Sequence, residues 1–336
     1  MMTTTHSALD ATLEADRMFH VRWRGELANH LPMAAIALHK LGADPSAVER
    51  FASMYRKRLE PTRPRTEPIE AARWDARLGD DTAYLDYRDY FDGSLTRNGL
   101  IPTLDAHISR LAPAVASDAF HPLLRLAYGI AQNHPGEIAS ALAYWCAVYT
   151  PLFEHPAVMT AKGLSITDAL SFLAQGEDRG EFHTSRGLIT PRMTRAVAYP
   201  RLGDVLDRVR VTPDTLRELR TAARRLHALD DNFASLHTVT ATHATRTLLE
   251  AAPGCAEALL PHFVQAFLAL YVAEGSPSLP PVPEHREAPT WSAIRTAAFE
   301  SKNDHAIKLA HTCSEEASDD DDLHYRWLAG RELKLT

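Results

Sequence analysis

The chain has 336 residues, 45% of them hydrophobic and 24% charged, which is room for one large domain or two ordinary ones around a sizeable core. A formal charge of −7, with no basic stripe carrying interleaved aromatics, argues against a nucleic-acid binder. Cys146, Cys255 and Cys313 are far apart and odd in number, which excludes a disulfide framework and leads us to expect a reducing, cytoplasmic compartment.

The opening MMTTTHSALDATLEAD lacks the basic and apolar regions of a signal peptide, and no apolar run reads as a membrane span. HLPMAAIALHKLG predicts a helix with Pro32 tolerated in its first turn. His30 opens it, and Met33, Ala34, Ala37 and Leu38 share the side on which it lies. In DPSAVERFASMYRKRLE, Asp44 reads as an N-cap and Pro45 as the first helical residue, with Val48, Phe51, Tyr55 and Leu59 on one face. PTRPRTEP, residues 61–68, reads as a connector. Tyr84, Asp86 and Tyr87 in YLDYRDYF either pack or contact a ligand.

DAFHPLLRLAYGIA again sets a histidine, His121, before a first-turn proline, with Leu124, Arg125 and Tyr128 on its face. SITDALSFLAQG starts at the capping Ser165 and stops at Gly176. The stretch 176–204 is too long and irregular for a turn and is expected to form a lid or active-site loop. VTPDTLRELRTAARRLHALDD is helical, and CAEALLPHFVQAFLALYVAEG is apolar nearly all round, which predicts a central helix. Residues 274–290 read as a Pro-rich connector, and the acidic run 315–322 as a solvated helix end. Alternating strand patterns are almost lacking, and apolar helices continue across every break. The expected fold class is all-α, a single compact multi-helix domain over 1–336 with its core at about 20–330.

Seventeen histidines is a high count for this length. His6, His134, His155 and His285 lie in polar or Pro-flanked segments, where solvation suffices. His30, His121, His237 and His243 lie where burial is expected, and each is either a hydrogen-bonded core residue or a metal ligand. In LHTVTATHATRTLLE, His237 and His243 are six apart, which on a regular helix separates them by roughly 120° and about 9 Å. Either they are not joint ligands or the helix is distorted between them. Lys308 in SKNDHAIKLAHTC either snorkels to the surface or is buried as a neutral amine able to take up CO2.

The blocks HLPMAAIALHKLGA, YLDYRDYFDGSL, AFHPLLRLAYGIAQNHPGEIASALAYW, SLHTVTATHATRTLL and NDHAIKLAHTC together resemble the questin oxidase-like family, in order and over residues 20 to 330. The resemblance implies an all-helical fold, oxidative tailoring of aromatic polyketides or quinones, and a mononuclear non-haem Fe(II) centre using O2. Its ligand pattern of four histidines and a carboxylated lysine falls on His30, His121, His237, His243 and Lys308, the last carrying a CO2-derived carbamate. Arg125 and Tyr128 are then either contacts to ligands or substrate, or a salt bridge and core packing. His305 and His311, flanking Lys308, either orient ligands or lie at the surface. The expected partner is a small aromatic molecule, with no nucleic acid or membrane. The rival readings are a zinc-dependent hydrolase on the same ligands and a helical scaffold whose histidines are structural.

Overall fold

The structure is a computed structural model that describes residues 3–153, 155, 163–176, 179–184, 186–229, 232–279, 287–318 and 321–336. Its elements in chain order begin with α1 (Thr3–Asp16), a hairpin of β1 (Arg22–Trp23) and β2 (Leu27–Ala28), α2 (Leu31–Lys40) and α3 (Pro45–Arg56). There follow α4 (Tyr84–Asn98), α5 (Leu100–Leu111), α6 (His121–Gln132) and α7 (Pro135–Ala147). The next are α8 (Ile166–Ala174), α9 (Ile189–Ala196), α10 (Pro200–Leu206), α11 (Thr215–Leu229) and α12 (Phe233–Ala251). The chain closes with α13 (Ala256–Ala273), α14 (Trp291–Glu300), α15 (Asp304–Glu316) and α16 (Asp322–Glu332). The all-α expectation holds.

The caps explain where several helices start. Asp44 accepts from the Ala47 amide at the head of α3, and Ser165 from the Asp168 amide at the head of α8. Asn232 and Asn303 do the same for α12 and α15, each accepting two first-turn amides. The apolar α13 is the central helix, buried from Leu259 to Ala273. By length and composition it could cross a membrane, contrary to our reading of the sequence, but 83% of that segment is buried inside the fold.

One contiguous hydrophobic cluster runs from Leu9 in α1 to Ala329 in α16. Within it α12 packs on α6, α11 and α15, while α2 packs on α3, α6 and α15. The four helices α2, α6, α12 and α15 therefore form one neighbourhood, although they come from distant parts of the chain.

The stretch 176–204 is not one loop: it holds α9 and α10, with residues 177, 178 and 185 outside the described residues. His285 and the middle of the Pro-rich connector, 280–286, also lie outside them. His134, expected in solvent, is 6% exposed, and its Nδ1 accepts the Glu137 amide at the start of α7. The acidic run is not simply solvated either. Glu316 is 5% exposed and Asp321 pairs with Arg220 and Arg224. Residues 319–320 of that run are outside the described residues.

Candidate metal centre

Four imidazoles meet where four helices begin. His30 is the N-cap of α2, His121 opens α6, His237 lies one turn into α12, and His305 is the second residue of α15. Their rings form a closed circuit. Centroids are 4.5 Å apart for His30–His121, 5.1 Å for His121–His237, 5.5 Å for His237–His305 and 4.6 Å for His305–His30. Ligating atoms of His30, His121 and His305 all lie within 4.8 Å of one another.

Every ring is tied by Nδ1 to an oxygen that can only accept. His30 Nδ1 donates to the Asp304 carboxylate, and His305 Nδ1 lies 3.1 Å from the same oxygen. His121 Nδ1 donates to the Asp118 carbonyl and His237 Nδ1 to the Phe233 carbonyl at 2.7 Å. These bonds fix the proton on Nδ1 and leave each Nε2 with a bare lone pair, as in imidazoles that bind metals. The Nε2 atoms of His30 and His305 are buried with no hydrogen-bond partner among the described residues. Those of His121 and His237 face each other at 3.4 Å, where two lone pairs repel.

Burial holds these rings neutral. It pushes His30 down to about 3, with the Lys308 charge adding to it, and carries His121 and His237 well below the ordinary histidine range. His305 is lowered for the same reason. The positive ends of the helix dipoles act in the same direction. Asp304 shows the opposite balance: burial raises its carboxyl, but contact with His30 outweighs that and holds it well below the usual carboxylate range.

Lys308 is fully buried, one turn after His305 on α15, with Nζ 3.3 Å from His30 Nδ1. Burial lowers its ammonium to about 8 against the pull of Asp304. The snorkelling alternative therefore does not apply. Four neutral imidazoles with orphaned or opposed lone pairs, beside an amine poised to lose its proton, fit a divalent cation.

His243 is not with them. The helix α12 is regular from Phe233 to Ala251, so the six-residue spacing carries His243 round to another face. There its Nδ1 lies 2.6 Å from Glu316 Oε1, which also takes Arg246 Nε at 2.8 Å. The nearest imidazole recorded beside it is His311, at a centroid distance of 6.0 Å. His311 is buried and stacks on Tyr128, whose hydroxyl reaches the Lys308 carbonyl at 3.5 Å. Arg125 forms a buried two-point pair with Glu137, at 2.8 and 3.0 Å, and so serves the core. Asp86 accepts the Thr66 and Glu67 amides and pairs with Arg77, while Tyr84 and Tyr87 pack in the core.

A cavity of about 650 Å³ opens onto His30, His121 and His305. One wall is the β1–β2 hairpin, with Trp23 and Leu27; another is residues 188–191 at the head of α9. Of the stretch 176–204, only its middle, residues 188–191, lines the cavity among the described residues. Phe233, 53% exposed, stands at the rim and stacks on both His237 and His305 at centroid distances of 4.6 and 4.5 Å. The Arg58 guanidinium lies over the Tyr55 ring, and both face the cavity.

The turn that leads into α6 is unusual. Asp118, Ala119 and Phe120 have φ of 46°, 55° and 68°, three consecutive left-handed residues without a glycine. Each such residue costs roughly 1–2 kcal/mol, and such strain collects at functional sites. No sequence signal marks it. The hairpin was missed because its strands are two residues long. His305 had a usable signal: three positions from Lys308, it shares that residue's helical face.

A family model described as questin oxidase-like matches residues 27–313. A Baeyer-Villiger oxidase, ptaJ, from Pestalotiopsis fici is 25% identical over 138 residues, 37% of this chain and 31% of that protein. The chain thus spans about a third of the length of this curated relative. The family match covers well over half the chain and takes in all four clustered histidines and Lys308. The chain belongs to the questin oxidase-like family.

Proposed function

We propose that this protein is an oxidoreductase, a non-haem Fe(II)-dependent oxygenase acting with O2 on an aromatic polyketide or quinone-type substrate. The observation that supports it most is the closed circuit of four imidazoles, each with Nδ1 anchored and Nε2 left bare, three of them facing one cavity. His30, His121, His237 and His305 would hold the ion, with Lys308 supplying an anionic oxygen once carboxylated. In this reading His305 takes the place that the family resemblance gave to His243. When bound, the iron would supply dioxygen activation and the redox equivalents for oxygen transfer.

The chain's own residues do the rest. Asp304 fixes two rings at once, His30 and His305, and balances the charge of the centre. Trp23, Leu27, Leu188 and Phe233 give the cavity an apolar rim suited to a flat ring system, and the hairpin forms one wall of the space in front of the imidazoles. Tyr55 accepts the His30 amide and so fixes the backbone behind that ligand. The name of the curated relative, a Baeyer-Villiger oxidase, agrees with an oxidase. A scaffold with structural histidines has no need to bring four rings from four helices into one circuit. Imidazoles also suit zinc, so metal identity is the direct test.

That test is metal analysis of anaerobically purified protein, followed by O2 uptake with quinols and polycyclic phenols. Stoichiometric iron that is lost in His237→Ala and His305→Ala supports the reading. Protein that stays metal-free after Fe(II) loading, or that takes only zinc and consumes no O2, defeats it.

A further inference from the structure

Asp118 is the best-anchored residue around the cavity. Its carboxylate takes Arg22 through two guanidinium nitrogens, Nε at 2.6 Å, and also the Tyr144 hydroxyl at 2.8 Å. Its carbonyl takes His121 Nδ1, and the next amide, Ala119 N–H, donates to Thr190 Oγ1 at 3.1 Å. These contacts come from three separate parts of the fold: the hairpin, α7 and α9. Together they hold three non-glycine residues in a left-handed path that the chain would otherwise leave. An ordinary right-handed entry into α6 would aim the Asp118 carbonyl elsewhere and free the His121 ring to turn.

Arg22 belongs to the hairpin whose residues wall the cavity, and it faces that cavity itself. We infer that Arg22 and Asp118 form a clasp that positions His121: the ion pair locks the left-handed turn, the turn fixes the ring with Nδ1 protonated and Nε2 bare, and the wall of the substrate cavity is tied to a ligand. The two are positioning residues, acting through His121. The clasp rests on the proposed metal reading only for its purpose. Its effect on the ring exists without any ion.

The experiment uses the full chain labelled with 15N-histidine, read by long-range 1H–15N correlation without metal and by Co(II) titration. Wild type should show His121 as a single Nδ1–H tautomer. Asp118→Asn and Arg22→Gln should turn it into a mixture and weaken Co(II) binding by roughly 10–100-fold with an altered visible spectrum. A merely structural ion pair would lower the melting temperature and leave tautomer and cobalt spectrum as in wild type, and that outcome overturns the clasp. Should Asp118→Asn fail to fold, Arg22→Gln, on the two-residue strand at the cavity wall, decides alone. Wild type that binds no Co(II) defeats the metal reading, while the tautomer in the metal-free protein still judges the clasp.

Discussion

His237 and His243 sit on one unbroken helix and serve different structures. The first faces His121 across 3.4 Å between Nε2 atoms, and the second lies against Glu316 at 2.6 Å. The two imidazoles are therefore separable by mutation. His305→Ala and His237→Ala should each abolish stoichiometric iron, whereas His243→Ala should keep it. The latter should instead lose about 1–3 kcal/mol of stability, the cost of stripping a charged hydrogen bond from a buried carboxylate. Metal analysis beside urea unfolding checks both, and loss of iron in His243→Ala with normal stability would restore it to the ligand set.

On the proposed function, Lys308 should link iron loading to CO2 and pH. Below pH 8 the buried amine is mainly protonated; above it the neutral form able to take up CO2 dominates. Iron incorporation should rise as pH climbs through 8, fall in CO2-depleted buffer and recover with bicarbonate. Lys308→Met should abolish all three responses. In metal-free, CO2-free protein the folded lysine loses its proton before the unfolded one. Stability should then rise with pH between about 8 and 10.5 in wild type, and Lys308→Met should remove that slope. Urea midpoints at pH 7 and 9.5 measure it.

Glu316 titrates in the opposite sense. Burial would raise its carboxyl, but His243 and Arg246 outweigh burial and bring it down to about 2. Its stabilisation is complete above the unfolded value of 4.5 and disappears as pH falls through that window to about 2. The difference corresponds to about 3 kcal/mol at neutral pH, an order-of-magnitude figure. Glu316→Gln should lower the melting temperature at pH 7 and flatten its decline between pH 4.5 and 2. An unchanged acid-unfolding profile would show that the network contributes little.

Phe233 is exposed at the cavity rim, so its role concerns binding more than folding. Phe233→Ala should change stability by under about 1 kcal/mol, in line with a largely exposed side chain. It should weaken binding of a planar phenol several-fold, as losing one aromatic stacking contact implies. Quenching of Trp23 fluorescence is the readout, with a Trp23→Phe control. Equal affinity in wild type and variant would place the ligand elsewhere.

Much of this was legible from local pattern. The caps at Asp44 and Ser165, the central α13 and three of the four clustered histidines follow from helical period and first-turn chemistry. What escaped was set by long-range geometry. His243 and His237 look like a pair in sequence, and only an undistorted helix separates them. Arg125 shares a face with His121 but finds Glu137 on α7 first. The acidic run reads as solvated until Arg220, Arg224 and Arg246 arrive from other helices. The left-handed entry to α6 has no glycine to announce it, because the clasp residues stabilise it from outside.

The circuit of imidazoles also sets an order of assembly. His30 and Lys308 are 278 positions apart, and both lie against one another in the finished centre. During synthesis the five donors cannot meet until α15, near the end of the chain, has been made and has docked on α2 and α12. On the proposed function, iron would meet all four imidazoles and Lys308 together only in a chain whose α15 is already in place. Under that reading, full metal uptake would report that the two ends of the chain have come together.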